Sequence, residues 1–237
     1  MTADRPRQAA LEVLRAVRED DSYANLVAPQ VINGYGLTGR DAGFATELAY
    51  GTLRWRGWYD AILATCVTRE WERVEPVLQD ILRLGVHQVL AMRVPDHAAV
   101  DSSCDLARAA GAVPGAKSRA GFANAVLRKV AARDTDGWAE VLQKGRADDD
   151  LGWLALRWSH PTWIARALRD ALGGSRAELP ELLAADNGAA RPTLVARPGR
   201  LDVDELLALP EVEPGRWSPL AATLVDGTPG ALAYVRD

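Results

Sequence analysis

Between Gly111 and Arg133 the sequence reads GAVPGAKSRAGFANAVLRKVAAR, five Lys and Arg with no Asp or Glu, in a chain whose formal net charge is −4. These residue types hold anions. Lys117 and Arg119 follow a glycine-rich turn whose free backbone N–H groups, with the helix N-terminus behind them, favour negative charge. Asn124 and Arg128 stand at i and i+4, so they can grip one ligand group together. The chemistry on offer is recognition of phosphate along a nucleic-acid backbone. The same residues also describe a basic helix in water whose cationic end matches its dipole, or a contact for a protein partner. Spacing leaves all three readings open.

The rest of the chain offers weaker chemistry. Cys66 and Cys104 are far apart and form no CxxC pair, so the sequence encodes neither a disulfide framework nor a zinc cluster. Both read as packing residues within helices. His87, His97 and His160 lack ligand spacing such as HExxH and read as core, capping or packing residues. Asp148, Asp149 and Asp150 read as the solvated surface of a charged linker. The glycines at 173 and 174 follow a helix, the wrong order for a cofactor-binding loop after a strand. Trp55, Trp58, Tyr59, Trp153, Trp158 and Trp163 could stack on unpaired bases, but their helical spacing favours packing or domain contact.

The elements that must position these residues are mostly helices. Leu11, Leu14 and Val17 give the stripe of a first helix opening at Arg5 or Pro6, with Arg7, Arg15 and Arg18 largely off it. Ser22 is a candidate cap for the second helix and Thr38 for the third. Gly51, inside the third, implies a close helix crossing or a break. Residues 77–92 are apolar enough to be central to a core, and Pro95 ends them. On the 119–133 helix, Phe122, Val126 and Val130 fall on the buried side, and Asn124 and Arg128 on the opposite one. Ser159 is expected to cap the helix after RWSHPTW. From residue 190 the pattern becomes strand, helix, strands and turns.

The expected fold is therefore mainly all-α. A helical bundle over 1–138 precedes a helical linker region over 139–189. A small α/β module over 190–237 ends as if cut from something longer. Hydrophobic residues at 48% and charged residues at 25% fit a soluble globular chain. The N-terminal MTADRPRQAA has no apolar core of a secretory signal, no apolar run reaches membrane-span length, and two cysteines fit a reduced, cytoplasmic setting.

Five stretches in order, RQAALEVLRAV, DSYANLV, RDAGFATELAYGTLR, LRLGVHQVLAMRVPDHAAV and GFANAVLRKV, resemble the NusB-like N-terminal domain of bacterial 16S rRNA cytosine-5 methyltransferases. This is the Fmu/Sun family, ribosomal RNA small subunit methyltransferase B. WSHPTWIARAL, LLAADN and PTLVARPGR resemble the region that precedes its catalytic domain. The resemblance implies a NusB-like bundle that binds RNA through Arg5 and Arg7 and more loosely through Lys117, Arg119 and Arg128; Asn124 joins this RNA-binding set by its i,i+4 spacing from Arg128. It implies 16S rRNA, the protein's own C-terminal methyltransferase domain and a ribosomal protein as partners. The family transfers a methyl group from S-adenosylmethionine to C5 of cytosine with two cysteines, one in a Pro-Cys pair. This chain has no Pro-Cys pair. Catalytic residues and the cofactor site are therefore expected beyond Asp237, with none in this chain and no metal. The alternative is a protein-interaction module, docking a ribosomal protein or the methyltransferase domain as NusB-type antitermination factors do.

Overall fold

The computed structural model describes residues 4–110, 116–148, 150–188, 191–225, 227 and 229–236. They fall into two compact units, Met1–Asn187 and Gly188–Asp237. The turn at 111–115 lies outside the described residues, as do Asp149 and the side chain of Lys117.

The first unit is all-helical. Its elements are α1 (Arg5–Glu19), α2 (Ala24–Gly34), α3 (Gly39–Arg54), α4 (Arg56–Cys66), α5 (Pro76–Leu90), α6 (Asp96–Ala109) and α7 (Ala116–Val130). Then follow α8 (Thr135–Gln143), α9 (Leu151–Arg157), α10 (Thr162–Leu172) and α11 (Leu179–Asp186). The α1 start is set locally: the Asp4 carboxylate accepts the Arg7 N–H at 3.3 Å, and Pro6 sits in the first turn where its missing donor costs nothing. Ser22 does not cap α2. The chain instead turns at Asp21, in the left-handed region at φ 50°, and α2 starts after Tyr23 without a side-chain cap.

Helix α5 is the centre. Every residue from Asp80 to Gln88 is buried, as for a helix packed on all sides. Four of these are polar, and burial obliges them to find partners. Arg83 reaches Asp60 at 2.6 and 3.0 Å and Asp80 at 2.9 Å, and Asp80 also accepts from Arg18 at 2.8 Å. Gln88 donates to the Leu84 carbonyl at 3.1 Å and accepts from Arg7. His87 Nδ1 lies 2.8 Å from the Tyr59 hydroxyl. Two glycines let other helices close on α5. A Cβ on Gly51 would sit 2.2 Å from His87 Nε2, so the interior glycine of α3 marks a close crossing. A Cβ on Gly85 would meet Leu127 of α7 at 2.6 Å and Ser103 of α6 at 2.9 Å.

The segments after α8 pack onto the same bundle through a tryptophan seam. Trp58 meets Trp153 with ring centroids 6.1 Å apart, and Trp55 meets Trp158 at 6.3 Å. The Arg157 guanidinium lies 5.1 Å from the Trp58 ring and 5.0 Å from that of Trp158. Burial lowers its pKa from the usual arginine range. These aromatics pack, as their helical spacing implies; Trp163 differs, being exposed. Ser159 does not cap α10, whose cap position is Pro161. With φ at 55°, its Oγ instead accepts the Gly57 N–H at 3.0 Å and the Trp58 N–H at 3.4 Å, capping α4 from a hundred residues away.

The second unit holds β1 (Thr193–Val195), α12 (Val203–Leu207), β2 (Val212–Pro214), β3 (Ala221–Leu224) and a terminal turn of helix, α13 (Ala233–Arg236). The strands form an antiparallel sheet ordered β1-β3-β2, with Val195 opposite Ala221 and Glu213 opposite Thr223. Ala196, Leu206 and Ala222 make its small core. No helix among the described residues is long and apolar enough to cross a membrane.

Candidate nucleic-acid interface

Arg5 and Arg7 leave the same helical turn but do different things. Arg5 is exposed and donates to the Tyr35 carbonyl. Arg7 is turned inward with a side chain 14% exposed. It pairs with Asp4, its Nε–H bonds the Gln88 amide oxygen at 2.7 Å, and its guanidinium lies 4.7 Å from the centre of the Phe44 ring. Next to them the start of α3 brings Thr38, Arg40 and Asp41. Together these residues line a depression of about 580 Å³. Arg40 is exposed and has no carboxylate within 4.0 Å among the described residues. Thr38 holds the N-cap position of α3 but makes no side-chain cap bond, so first-turn N–H groups of that helix remain available.

Arg119 is likewise engaged. Its Nε and one terminal nitrogen meet the Glu75 carboxylate at 2.9 and 2.8 Å, a two-bonded fork that balances its charge. Arg128 is exposed, and its Nε donates to Asn124 Oδ1 at 3.0 Å. The i,i+4 pair read from the sequence thus forms, on the side of α7 that faces α6. Arg128 borders a cavity of about 410 Å³ with Asp96, His97 and Asp101. Asn124 borders a second, of about 640 Å³, with Asp101, Asp105 and Arg108. This groove is mixed in charge. Lys129 is tied to the Cys66 carbonyl at 2.8 Å.

The central helix measures how far apart these groups lie. Arg7 is bound to Gln88 and Arg119 to Glu75, a separation of roughly 20 Å along α5 at the helical rise per residue. Leu127 packs at Gly85, so Arg128 belongs to the end where α5 finishes, with Arg5, Arg7 and Arg40. Arg119 belongs to the other end. Arg15 and Arg18 are held by Glu19 and Asp80. Among the described arginines of that first end, Arg5, Arg40 and Arg128 have no carboxylate partner, and neither has the exposed Arg93 just past α5. Arg40 escaped the sequence reading. Its signal was its place just after Thr38 at a helix start, where a cation is not needed for the dipole.

Among the described residues, Glu47–His87–Tyr59 is a superficial candidate for proton-transfer chemistry. Tyr59 faces Nδ1, and Glu47 Oε1 lies 3.6 Å from Nε2. His87 and Tyr59 are buried in the core. Burial pushes the Tyr59 phenol well above its usual range, and contact with His87 holds the Glu47 carboxyl below its own. This trio links α3, α4 and α5. Burial also raises the Cys66 and Cys104 thiols, away from the reactive thiolate. Among the described residues no group of three His, Cys, Asp or Glu could hold a metal ion.

Fold and site together define an all-helical scaffold that presents unpaired arginines at one end. The NusB family profile matches residues 4–132, and the chain belongs to the NusB family. Its similarity to curated proteins runs on past that domain. It is 45% identical over 234 residues to a putative methyltransferase of Mycobacterium tuberculosis, covering 99% of this chain and 50% of that protein. It is 30% identical over 173 residues to the probable ribosomal RNA small subunit methyltransferase B of Bacillus subtilis, covering 73% of this chain and 36% of that one. The Fmu/Sun resemblance is borne out, and the chain spans about half the length of the first of these relatives. The solved structure of PH0851 shares the fold, with a TM-score of 0.64 at 13% identity over 99% of this chain and 52% of that one.

Proposed function

We propose that this chain is the RNA-binding front part of an S-adenosylmethionine-dependent 16S rRNA (cytosine-C5) methyltransferase. It holds rRNA for a catalytic domain that lies outside it. The reading rests on Arg5, Arg40 and Arg128, exposed and without carboxylate partners at one end of a NusB-family bundle, in a chain whose relatives are named as ribosomal RNA methyltransferases. Asn124 orients Arg128, whereas Lys117 stands with Arg119 at the start of α7 and would meet a different stretch of the RNA. Arg7 and Arg119 serve the same surface indirectly, by fixing α1 and α7 to α5. Contacts of this kind are mostly to backbone phosphate, so sequence choice comes from RNA shape and from the catalytic domain. S-adenosylmethionine binds that domain, and the chain works in the cytoplasm where rRNA is made.

The mixed-charge groove between α6 and α7 favours a second role, docking a basic protein segment such as one from a ribosomal protein or the methyltransferase domain. Asp96, Asp101 and Asp105 line it. The two roles separate in a binding assay with 16S rRNA fragments. Changing Arg5, Arg40 and Arg128 to Glu should weaken RNA binding and flatten its salt dependence, whereas Asp101→Lys with Asp105→Lys should leave it intact or strengthen it. Affinity for 16S rRNA fragments and a salt dependence both unchanged by the triple change would sink the first role.

A further inference from the structure

The second unit carries an indole that folding does not use. Trp217 is 86% exposed, and Arg216 lies over its ring at 4.6 Å. A tryptophan left this open contributes no core packing and exposes apolar surface to water. Its loop is not loose. The Gly215 N–H bonds the Ala221 carbonyl at 2.8 Å, and a Cβ on Gly215 would sit 2.4 Å from that of Ala221, so the loop from 215 to 221 is pinched shut at its base. The Ala196 N–H bonds the Leu220 carbonyl at 2.9 Å, which brings the end of β1 against this loop. Immediately beyond, residues 197–200 form a β-turn closed by the Arg200 N–H and the Arg197 carbonyl at 2.9 Å, with Gly199 at φ 80°. Such a turn holds the Cα atoms of Arg197 and Arg200 within about 7 Å of each other.

Charge is distributed to match. Among the described residues of this unit, Arg191 pairs with Glu213 at 3.3 Å. Arg197, Arg200 and Arg216 have no carboxylate within 4.0 Å among the described residues. Val195, 60% exposed, and Leu220, 36% exposed, extend the apolar surface beside the loop. Asp202 and Glu205 line the neighbouring cavity of about 450 Å³ with Arg200 and Leu220. Arg200 thus borders that acidic cavity as well as the turn, and phosphate contact is assigned to Arg197 and Arg200 because neither has a carboxylate within 4.0 Å among the described residues.

We propose that this end of the sheet is a separate contact for single-stranded RNA, in which a base stacks on Trp217 and neighbouring phosphates meet Arg197 and Arg200. An exposed aromatic beside unpaired cations is the pairing that single strands require, because every base offers a flat face and every linkage a charge. Tryptophan and arginine also occur at protein interfaces, but three guanidinium groups without carboxylate partners around one indole favour a polyanion. The inference takes from the proposed function only the class of ligand. It places a contact on a unit that the proposed function does not use.

The test is binding of the full 237-residue chain to a labelled single-stranded oligouridine, with uridine replaced by 4-thiouridine for crosslinking. Trp217→Ala should weaken binding about fivefold to tenfold, and Trp217→Phe should recover most of the loss. Arg197→Glu with Arg200→Glu should lower the salt slope by roughly 1.4, two phosphates' worth on a single strand. Crosslinks should fall on the tryptic peptide that begins at Trp217. All three effects should persist when Arg5, Arg40 and Arg128 are changed to Glu. If Trp217→Ala and the turn variant bind like the unaltered chain and that peptide carries no adduct, the proposal is overturned, whatever protein Trp217 then serves. Loss of binding in the triple variant alone would leave the proposed function standing without this contact. Loss in the Trp217 and turn variants alone would do the reverse.

Discussion

Replacing Arg7 by alanine should unfold the protein more readily while leaving RNA affinity nearly unchanged at temperatures where it stays folded. Three interactions disappear together. The Gln88 amide oxygen, on a residue with no solvent exposure, loses its donor at 2.7 Å, and an orphaned buried acceptor costs about 1–3 kcal/mol. The guanidinium no longer lies on Phe44, a contact of about 0.5–1 kcal/mol. The Asp4 pair adds little, because Asp4 is 38% exposed. The sum is about 3 kcal/mol. For a unit of this size that lowers the melting temperature by roughly 6–12 °C. Calorimetry gives the first quantity and RNA titration of the folded variant the second. An Arg7→Ala protein that melts where the unaltered chain does, yet binds RNA tenfold more weakly, would refute the division of labour between Arg7 and Arg5.

Other perturbations probe the scaffold. Gly51→Ala forces a methyl group to 2.2 Å from the buried His87 ring and should cost about 3 kcal/mol or more in urea unfolding; a neutral result would mean that α3 and α5 are not in such close contact. Arg83→Met leaves Asp80, 3% exposed, facing only Arg18 and should cost about 3–5 kcal/mol as a broken buried pair, whereas Arg56→Met, at an exposed position 3.9 Å from Asp60, should change stability by under about 1 kcal/mol. Glu47 has a pKa lowered chiefly by its contact with His87, from an ordinary 4.5. A lowered carboxyl adds stability above its unfolded pKa and loses it as pH falls through the folded one. Glu47→Gln should therefore be less stable than the unaltered chain at neutral pH and indistinguishable from it in strong acid; an equal gap at both would exclude the contact. Ser159→Ala removes the acceptor for two N–H groups at the start of α4 and should cost about 1 kcal/mol, seen as earlier proteolysis near residue 159.

Local rules made the helices legible. The apolar stripe of α1 and the central place of α5 follow from periodicity, and Gly51 signalled either a crossing or a break, of which the structure shows the crossing. The strand–helix–strand pattern after residue 190 was also readable, because turns and β-branched residues punctuate it. The fate of individual charges was not readable. Arg7 and Arg119 look as free in sequence as Arg5 and Arg128, but their partners lie 81 and 44 residues away, and only the packing of α1 and α7 on α5 pairs them. Ser159 misled for the same reason. A serine before a proline and a helix reads as that helix's cap, and the acceptor was instead used by α4 across the tryptophan seam. Trp217 was hidden in the opposite sense: tryptophan in a folded chain is taken to be packed, and only its exposure shows otherwise.

The most direct test of the account is the salt dependence of affinity for a small-subunit rRNA fragment. It should be measured between about 50 and 200 mM salt for the unaltered chain and for the Arg5→Glu, Arg40→Glu, Arg128→Glu variant. Three single-strand phosphate contacts predict that log affinity against log salt flattens by roughly 2 in the variant, with its helical signal and melting unchanged. Parallel lines for the two proteins would contradict the claim that these three arginines form the RNA surface.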